Sequence, residues 1–454
     1  MVVSDDIEHN GVWDCPVYTL PKPIFVRGSR LEATRLVIAA GTIIKGRAGD
    51  VEQGQLPGAL VVTRSGRLEA RGTRTQPIVF TSASKPGDRT SGDWGGVVLL
   101  GRAPINVPQN FANSGNRAGE MFVEGLPRGE DTSYGSSLET EPAQDAGALS
   151  QAPPDPDHDC GTLRFVRIEF AGFEVGDSNE LNGLTVAGCG RATVLDYVQV
   201  HLGSDDGIEF FGGTTDLRHA VITGAKDDAL DWDQGWLGRV QFLAVAPHDD
   251  GSGDGGHSDN GFEGDGFADP ELRSGVASAP IMYNVTLVSS RSSVRGLRLR
   301  EGTGLVLHNA ILVSAAGGAS EGLIDLGDAL TADQLSLQRS RINNSIFEGA
   351  WPLSSQEDSS GKPYLEEDYF TVGAGSSGNT VLSLGQIEQL LPGVFTQGPP
   401  RWVPVRGSFA SRDWAVPSDA GSLPAFFDTS VSYRGALDPS AADWTLGWTA
   451  YPSN

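Results

Sequence analysis

The chain has little of what marks a helical, membrane-spanning or disulfide-built protein. Its 454 residues include only three methionines and three cysteines. Three cysteines are too few for a disulfide scaffold. Cys160 and Cys189 each precede a short apolar strand, so they can lie on neighbouring coils and pair. Cys15 is then free, or is the partner of one of them, and three reduced thiols fit the sequence equally well. No uninterrupted apolar run is long enough to span a membrane, and the first residues lack a basic stretch followed by an apolar one. The expectation is a mature or trimmed form of an exported protein, extracellular or at the cell surface. Basic residues are also scarce, 33 against 58 acidic, for a net charge of −25. That balance excludes nucleic acid and anionic membrane surfaces as partners. There is no Ser/His/Asp constellation, phosphate loop, zinc spacing or haem motif.

What the chain has is glycine, 60 residues of it, and internal repetition. Short β-rich runs with Gly or Pro punctuation begin near residue 23, among them Ala59-Leu-Val-Val62, Pro77-Ile-Val-Phe-Thr81 and Gly95-Gly-Val-Val-Leu-Leu100. Further on, Val166, Val198, Ala220, Leu243, Val285 and Ala310 align in one apolar column. Ile168, Val200, Ile222, Val245, Leu287 and Leu312 align in the next, two residues on, as one face of a strand requires. Asn284, Asn309 and Asn344 form a polar column whose amides are expected to bond to one another and to the turning backbone. The reading is all-β: a right-handed parallel β-helix, or solenoid, in which each repeat stacks on the last. Its expected limits are a lead-in over 1–22, the β-helix over 23–349 with an inserted loop over 101–159, and a capping region over 350–454. In that last region a short helix is predicted before Pro392, and a Trp- and Phe-rich tail closes the end of the solenoid.

The candidate site lies between Gly203 and Gly266. Three segments look alike: Ser204-Asp-Asp-Gly-Ile-Glu-Phe210, Lys226-Asp-Asp-Ala-Leu-Asp-Trp232 and Ser258-Asp-Asn-Gly-Phe-Glu-Gly264. Stacked, they give columns of Asp205, Asp227 and Asp259; of Asp206, Asp228 and Asn260; and of Glu209, Asp231 and Glu263. Carboxylates on adjacent parallel strands, about 4.8 Å apart, repel by roughly 3 to 4 kcal/mol per pair at an effective dielectric near 20. Such columns persist when a cation sits among the oxygens, when some members hold protons, or when water screens them. Calcium suits hard oxygen ligands, and the expected ligands are Asp205, Glu209, Asp227, Asp231, Asp259 and Glu263. A solvated acidic face is the plainer alternative. Arg295, Arg298 and Arg300 stand one coil beyond the acids, where they either end the ladder by ion pairing or meet an acidic ligand. Trp232 and Trp236 are expected to be exposed, as stacking faces for sugar rings beside Arg300.

Several stretches resemble secreted bacterial proteins of the pectate-lyase-like parallel β-helix superfamily. They include Gly92-Asp-Trp-Gly-Gly96, Gly161-Thr-Leu-Arg-Phe-Val-Arg-Ile168, Asp205-Asp-Gly-Ile-Glu-Phe-Phe-Gly-Gly213 and Asp443-Trp-Thr-Leu-Gly-Trp448. The resemblance covers nearly the whole chain and implies the fold and an exported setting. A second, weaker resemblance is to polygalacturonase-type glycosidases, whose motifs run Asn-Thr-Asp-Gly, Asp-Asp, Gly-His-Gly and Arg-Ile-Lys. Ser204-Asp-Asp-Gly207, Asp227-Asp228, Gly256-His257-Ser258 and Arg298-Leu-Arg300 follow that order, with departures in each but the second. This resemblance implies catalytic roles for Asp206, Asp227, Asp228, His257 and Arg298. Two functions follow as expectations. One is a non-catalytic calcium- and glycan-binding surface protein; the other is a hydrolase or lyase of an acidic polysaccharide.

Overall fold

The computed structural model describes residues 1–453 apart from 30–31, 51, 138–152, 177–178, 249–258, 290–293, 315–320, 353–354, 374–376, 394–398 and 420–423. Most of its strands belong to two parallel sheets, one of 16 strands and one of nine. The nine-stranded sheet runs from Pro23–Val26 through Ala59–Val62, Val97–Leu100, Leu184–Ala187, Ile208–Phe211, Leu230–Asp233, Asn260–Asp265 and Arg295–Arg300 to Gly322–Leu326. Between successive strands of this sheet the chain visits the other one. The result is a parallel β-helix.

The apolar columns read from the sequence are in register. Val166 pairs with Val198, Val198 with Ala220, Ala220 with Leu243 and Leu243 with Val285. Ile168, Val200, Ile222, Val245, Leu287 and Leu312 pair likewise. All are buried in one continuous core, each larger side chain contributing about 1.5–3 kcal/mol. In the long strands the alternation resets at one residue held at positive φ: Phe165 (50°), Tyr197 (59°), His219 (50°) and Phe242 (64°), continued by Asn284, Asn309 and Asn344. The ladder skips this residue, so Leu163 and Val166 both face inward while Arg164 and Phe165 face out. A left-handed conformation costs an ordinary residue about 1–2 kcal/mol. Here ring stacking offsets it, with centroids 4.3 Å apart for Phe165–Tyr197 and 4.2 Å for Tyr197–His219.

The asparagine column behaves differently from expectation. Its amides donate to the backbone of the C-terminal tail: Asn284 to Tyr433, Asn309 to Ala415 and Asn344 to Asp413. They point outward at the corner, where the tail lies across them. That tail folds back on the solenoid, but along its flank rather than over its end. Trp444 and Trp448 meet the stacked rings of Phe165 and Tyr197 edge-on, and Arg74, Gln199 and His201 bond to the backbone at Leu446, Ala450 and Pro452. The end is covered instead by the helix Glu366–Thr371, whose Tyr369 and Phe370 join the core. The predicted short helix forms over Leu384–Leu390.

Two limits also move. Residues 1–22 already hold strands, Gly11–Trp13 and Val17–Leu20, paired in parallel with Thr34–Ile38 and Ile43–Gly46. Pairing continues past 349, since Thr380–Val381 adds to Ile346–Glu348. Cys160 and Cys189 form a disulfide and Cys15 is free. In the described part of the insert, Glu120–Phe122 and Ser133–Gly135 make an antiparallel hairpin. Val107, Val123 and Tyr134 pack it against Val98, Leu100, Ala187 and Phe211 on the outer face of the nine-stranded sheet.

A candidate cation site on the acidic face

Strand alternation builds the site. Ile208, Phe210, Leu230, Trp232 and Phe262 go into the core, so the residues between them face outward. Glu209, Asp231 and Glu263 therefore pair in one row, with Thr185 before them and Arg298 after. The preceding turns add Asp205 and Asp206, Asp227 and Asp228, and Asp259 and Asn260. Asp206 accepts the backbone N–H of Asp228 at 2.9 Å, and Asp228 accepts that of Asn260 at 2.7 Å. The second predicted column is thus woven into the backbone from coil to coil.

Three clusters bring carboxylate oxygens within 4.8 Å of one another: Asp205, Asp206 and Asp227; Asp206, Glu209 and Asp231; and Asp228, Asp231 and Glu263. Five of the expected ligands are in them. Asp259 is not, while Asp206 and Asp228, read from the sequence as catalytic, are. Asn182 donates to Glu209 at 2.5 Å and Asn260 to Glu263 at 2.8 Å. Burial, reinforced by neighbouring carboxylates, pushes Asp206, Glu209, Asp228 and Asp231 well above the usual carboxylate range. The same causes raise Asp205 and Asp233 to about 8 each.

The arginines reach only part of this charge. Arg298 pairs with Glu263 at 3.3 Å, and Arg300 with Glu263 and, at 2.7 Å, with Asp265. Arg295 pairs with Asp325 at 2.7 Å. They end the acid ladder. Among the described residues no Lys or Arg pairs with Asp206, Glu209 or Asp231. Asn182, which is wholly buried, keeps its Oδ1 without a hydrogen-bond partner, as does Asp231. Hard oxygens without a positive partner, two of them lacking any hydrogen bond, fit a divalent cation of the calcium kind.

The expected exposure of the two tryptophans fails here. Trp232 and Trp236 are both 0% exposed and cannot stack on a sugar. Trp232 donates to Thr303 and Trp236 to the backbone of Thr215, inside the core. Gly264 is required beneath Trp232, because a Cβ there would lie 2.2 Å from the indole. His257 lies outside the described residues.

Sequence reasoning missed Asn182 and Glu124. Asn182 was legible: Asn182-Gly-Leu184 sits one coil before Asp206-Gly-Ile208 in the same pattern, as the bond from Gly183 to Asp206 shows. Glu124 comes from the insert, touches Glu209 and Asn182, and is raised to about 7, chiefly by burial.

The pectate-lyase-like β-helix domain model matches residues 6–381, and the chain belongs to that family. No curated protein matches it in sequence. Among solved structures it is similar to full-length tailspike protein 2 of Escherichia coli O157:H7 bacteriophage CAB120, at 9% identity and a TM-score of 0.23. That match covers 80% of this chain and 42% of the tailspike, so the chain spans less than half of the other protein's length. Among the described residues no helix is long and apolar enough to cross a membrane.

Proposed function

We propose that this is an exported β-helix protein, extracellular or at the cell surface, that binds calcium on its acidic face and a glycan there, without cleaving it. The observation that carries the reading is the row Glu209–Asp231 with Asp206 above it, Asp206 and Glu209 buried and Asp231 half-buried, without a cationic side chain paired to them among the described residues. Membership of a pectate-lyase-like family supports a polysaccharide ligand. When bound, the cation would supply the positive charge these oxygens lack and an open position for a sugar oxygen or carboxylate. Asp206, Glu209 and Asp231 would hold it, and Asn182 would orient Glu209. Elemental analysis of the purified protein and calcium titration by calorimetry test the site.

The second reading is a glycoside hydrolase or lyase of an acidic polysaccharide using Asp206, Asp227, Asp228, His257 and Arg298. One observation favours it: burial and neighbouring carboxylates push Asp206 well above the usual carboxylate range, towards the protonated form a general acid needs. Against it, Asp206 and Asp228 are committed to backbone bonds, and Arg298 to Glu263. The oxygens of Asp206 and Asp227 lie within 4.8 Å, short of the roughly 6.5–9.5 Å that admits an inverting water. A polysaccharide panel assayed for reducing ends and unsaturated products decides the matter. Cleavage that is lost in folded Asp206→Asn and Asp228→Asn proteins overturns the non-catalytic reading.

A further inference from the structure

The acidic face is not built by the solenoid alone. The inserted segment lands on it, and the landing is well fixed on both sides of one residue. Val123 and Leu126 are buried against Leu181. Val123 donates to the backbone of Thr132 at 2.8 Å, and Gly125 donates to Asn179 Oδ1, also at 2.8 Å. Gly125 fits so closely that a Cβ would lie 2.5 Å from the Leu181 side chain. Between these anchors Glu124 is delivered against Glu209 and Asn182.

Glu124 is thereby pressed on Glu209, one member of a cluster that lacks a positive partner, although it belongs to none of the three oxygen clusters itself. No Lys or Arg among the described residues pairs with Glu124. Two carboxylates in contact share a proton or hold a cation between them, and a divalent cation can take the proton's place. The buried Asn182 Oδ1, without a hydrogen-bond partner, belongs to the same three-residue group. Calcium takes six to eight oxygens, waters among them, and a carboxylate from outside the sheet can supply one.

We propose that the cation held by Glu209 is also held by Glu124, so that cation binding fastens the inserted segment over the acidic face. This rests on the cation reading above. The solenoid row would supply one side of the site and the insert the other. Exposure of the insert to proteases would then report on occupancy, since cleavage follows the population of the opened form.

The test uses the full chain with calcium alone as the probe. Wild-type protein and Glu124→Gln are titrated by calorimetry and digested with trypsin in calcium and in chelator. Cleavage is followed after Arg128, which is exposed on the insert. The expected result is protection of Arg128 by calcium in wild type, by about tenfold in rate, the equivalent of a tenfold change in affinity. Glu124→Gln should bind calcium about tenfold more weakly and lose most of the protection. If wild type binds calcium yet Arg128 is cut at the same rate with and without it, the fastening is wrong and the cation site stands. Unchanged calcium affinity in Glu124→Gln likewise overturns the fastening and leaves the cation site standing. If wild type binds no calcium, the cation reading fails, and the fastening with it.

Discussion

Asp231→Asn should make the metal-free protein more stable and the calcium-loaded protein relatively less so. Asp231 belongs to two of the three oxygen clusters and sits in register between Glu209 and Glu263. At about 4.8 Å and an effective dielectric near 20, each ionised neighbour repels it by about 3.5 kcal/mol. Two neighbours give about 7 kcal/mol if every group stays charged. They need not. A carboxyl with an ordinary pKa near 3.9 can be protonated at pH 7 at a cost of about 4 kcal/mol. Protonation is the smaller cost and caps the penalty, so removing the charge returns at most about 4 kcal/mol.

Unfolding entropy near 2.1 cal/mol/K per residue, over 454 residues, makes 1 kcal/mol worth about 1 °C if the chain melts as one unit. In chelator at pH 7 the variant should therefore melt up to about 4 °C above wild type. At pH 5 the cap falls to about 1.5 kcal/mol and the gap should shrink with it. Calcium at a hundred times Kd adds about 2.7 kcal/mol to wild type, or about 3 °C, and should add little to the variant. Magnesium should do less, since it keeps its waters and wants a tight octahedron. Differential scanning fluorimetry over these conditions reads all of it. A variant that melts below wild type in chelator, or that gains from calcium as wild type does, would refute the argument.

Gly264→Ala should be destabilising by roughly 3 kcal/mol or more, read as lost soluble yield or a lower melting point, because its Cβ meets the fixed indole of Trp232 at 2.2 Å. Replacing Cys160 and Cys189 together by Ser should cost about 3.6 kcal/mol on the chain-entropy estimate for a crosslink spanning 29 residues, seen in urea titrations. Burial holds His158 at about 4, below its ordinary 6.5. The unfolded chain then takes up the proton first, so this group's stability is intact above pH 6.5 and lost as pH falls towards 4. The loss is about 3 kcal/mol. His158→Gln should flatten that acid limb in melting curves.

Much of the fold was legible because it repeats. A column such as Ile168, Val200, Ile222 and Val245 is visible only when the same inward position recurs coil after coil, and the pairing follows it residue by residue. Where a contact joins segments without a shared register, nothing in the sequence points to it. The tail reaches Asn284, Asn309 and Asn344 from 149, 106 and 69 residues away, and each bond uses a tail carbonyl that any residue could offer. Glu124 is hidden for the same reason. The burial of Trp232, by contrast, can be read from its neighbours. It lies between Asp231 and Asp233 on one strand, and once the acids face out the two-residue period forces it in.

The acidic face is where the levels of this sequence disagree. Inward positions, corner residues and turns all serve the same coil, as a foldable sequence requires. The outward row shows how the fold treats that position when no ligand is at stake. One coil before the acids it carries a neutral Thr185, and one coil after them Arg298; at the next, Asp325 is paired with Arg295. Only Glu209, Asp231 and Glu263 interrupt this, and the one of them that the arginines reach is Glu263. Stability alone would have put another threonine at 209 or 231. A local violation held in place by a rigid scaffold, and touched at Glu209 by Glu124 from the insert, is what the proposed cation would resolve.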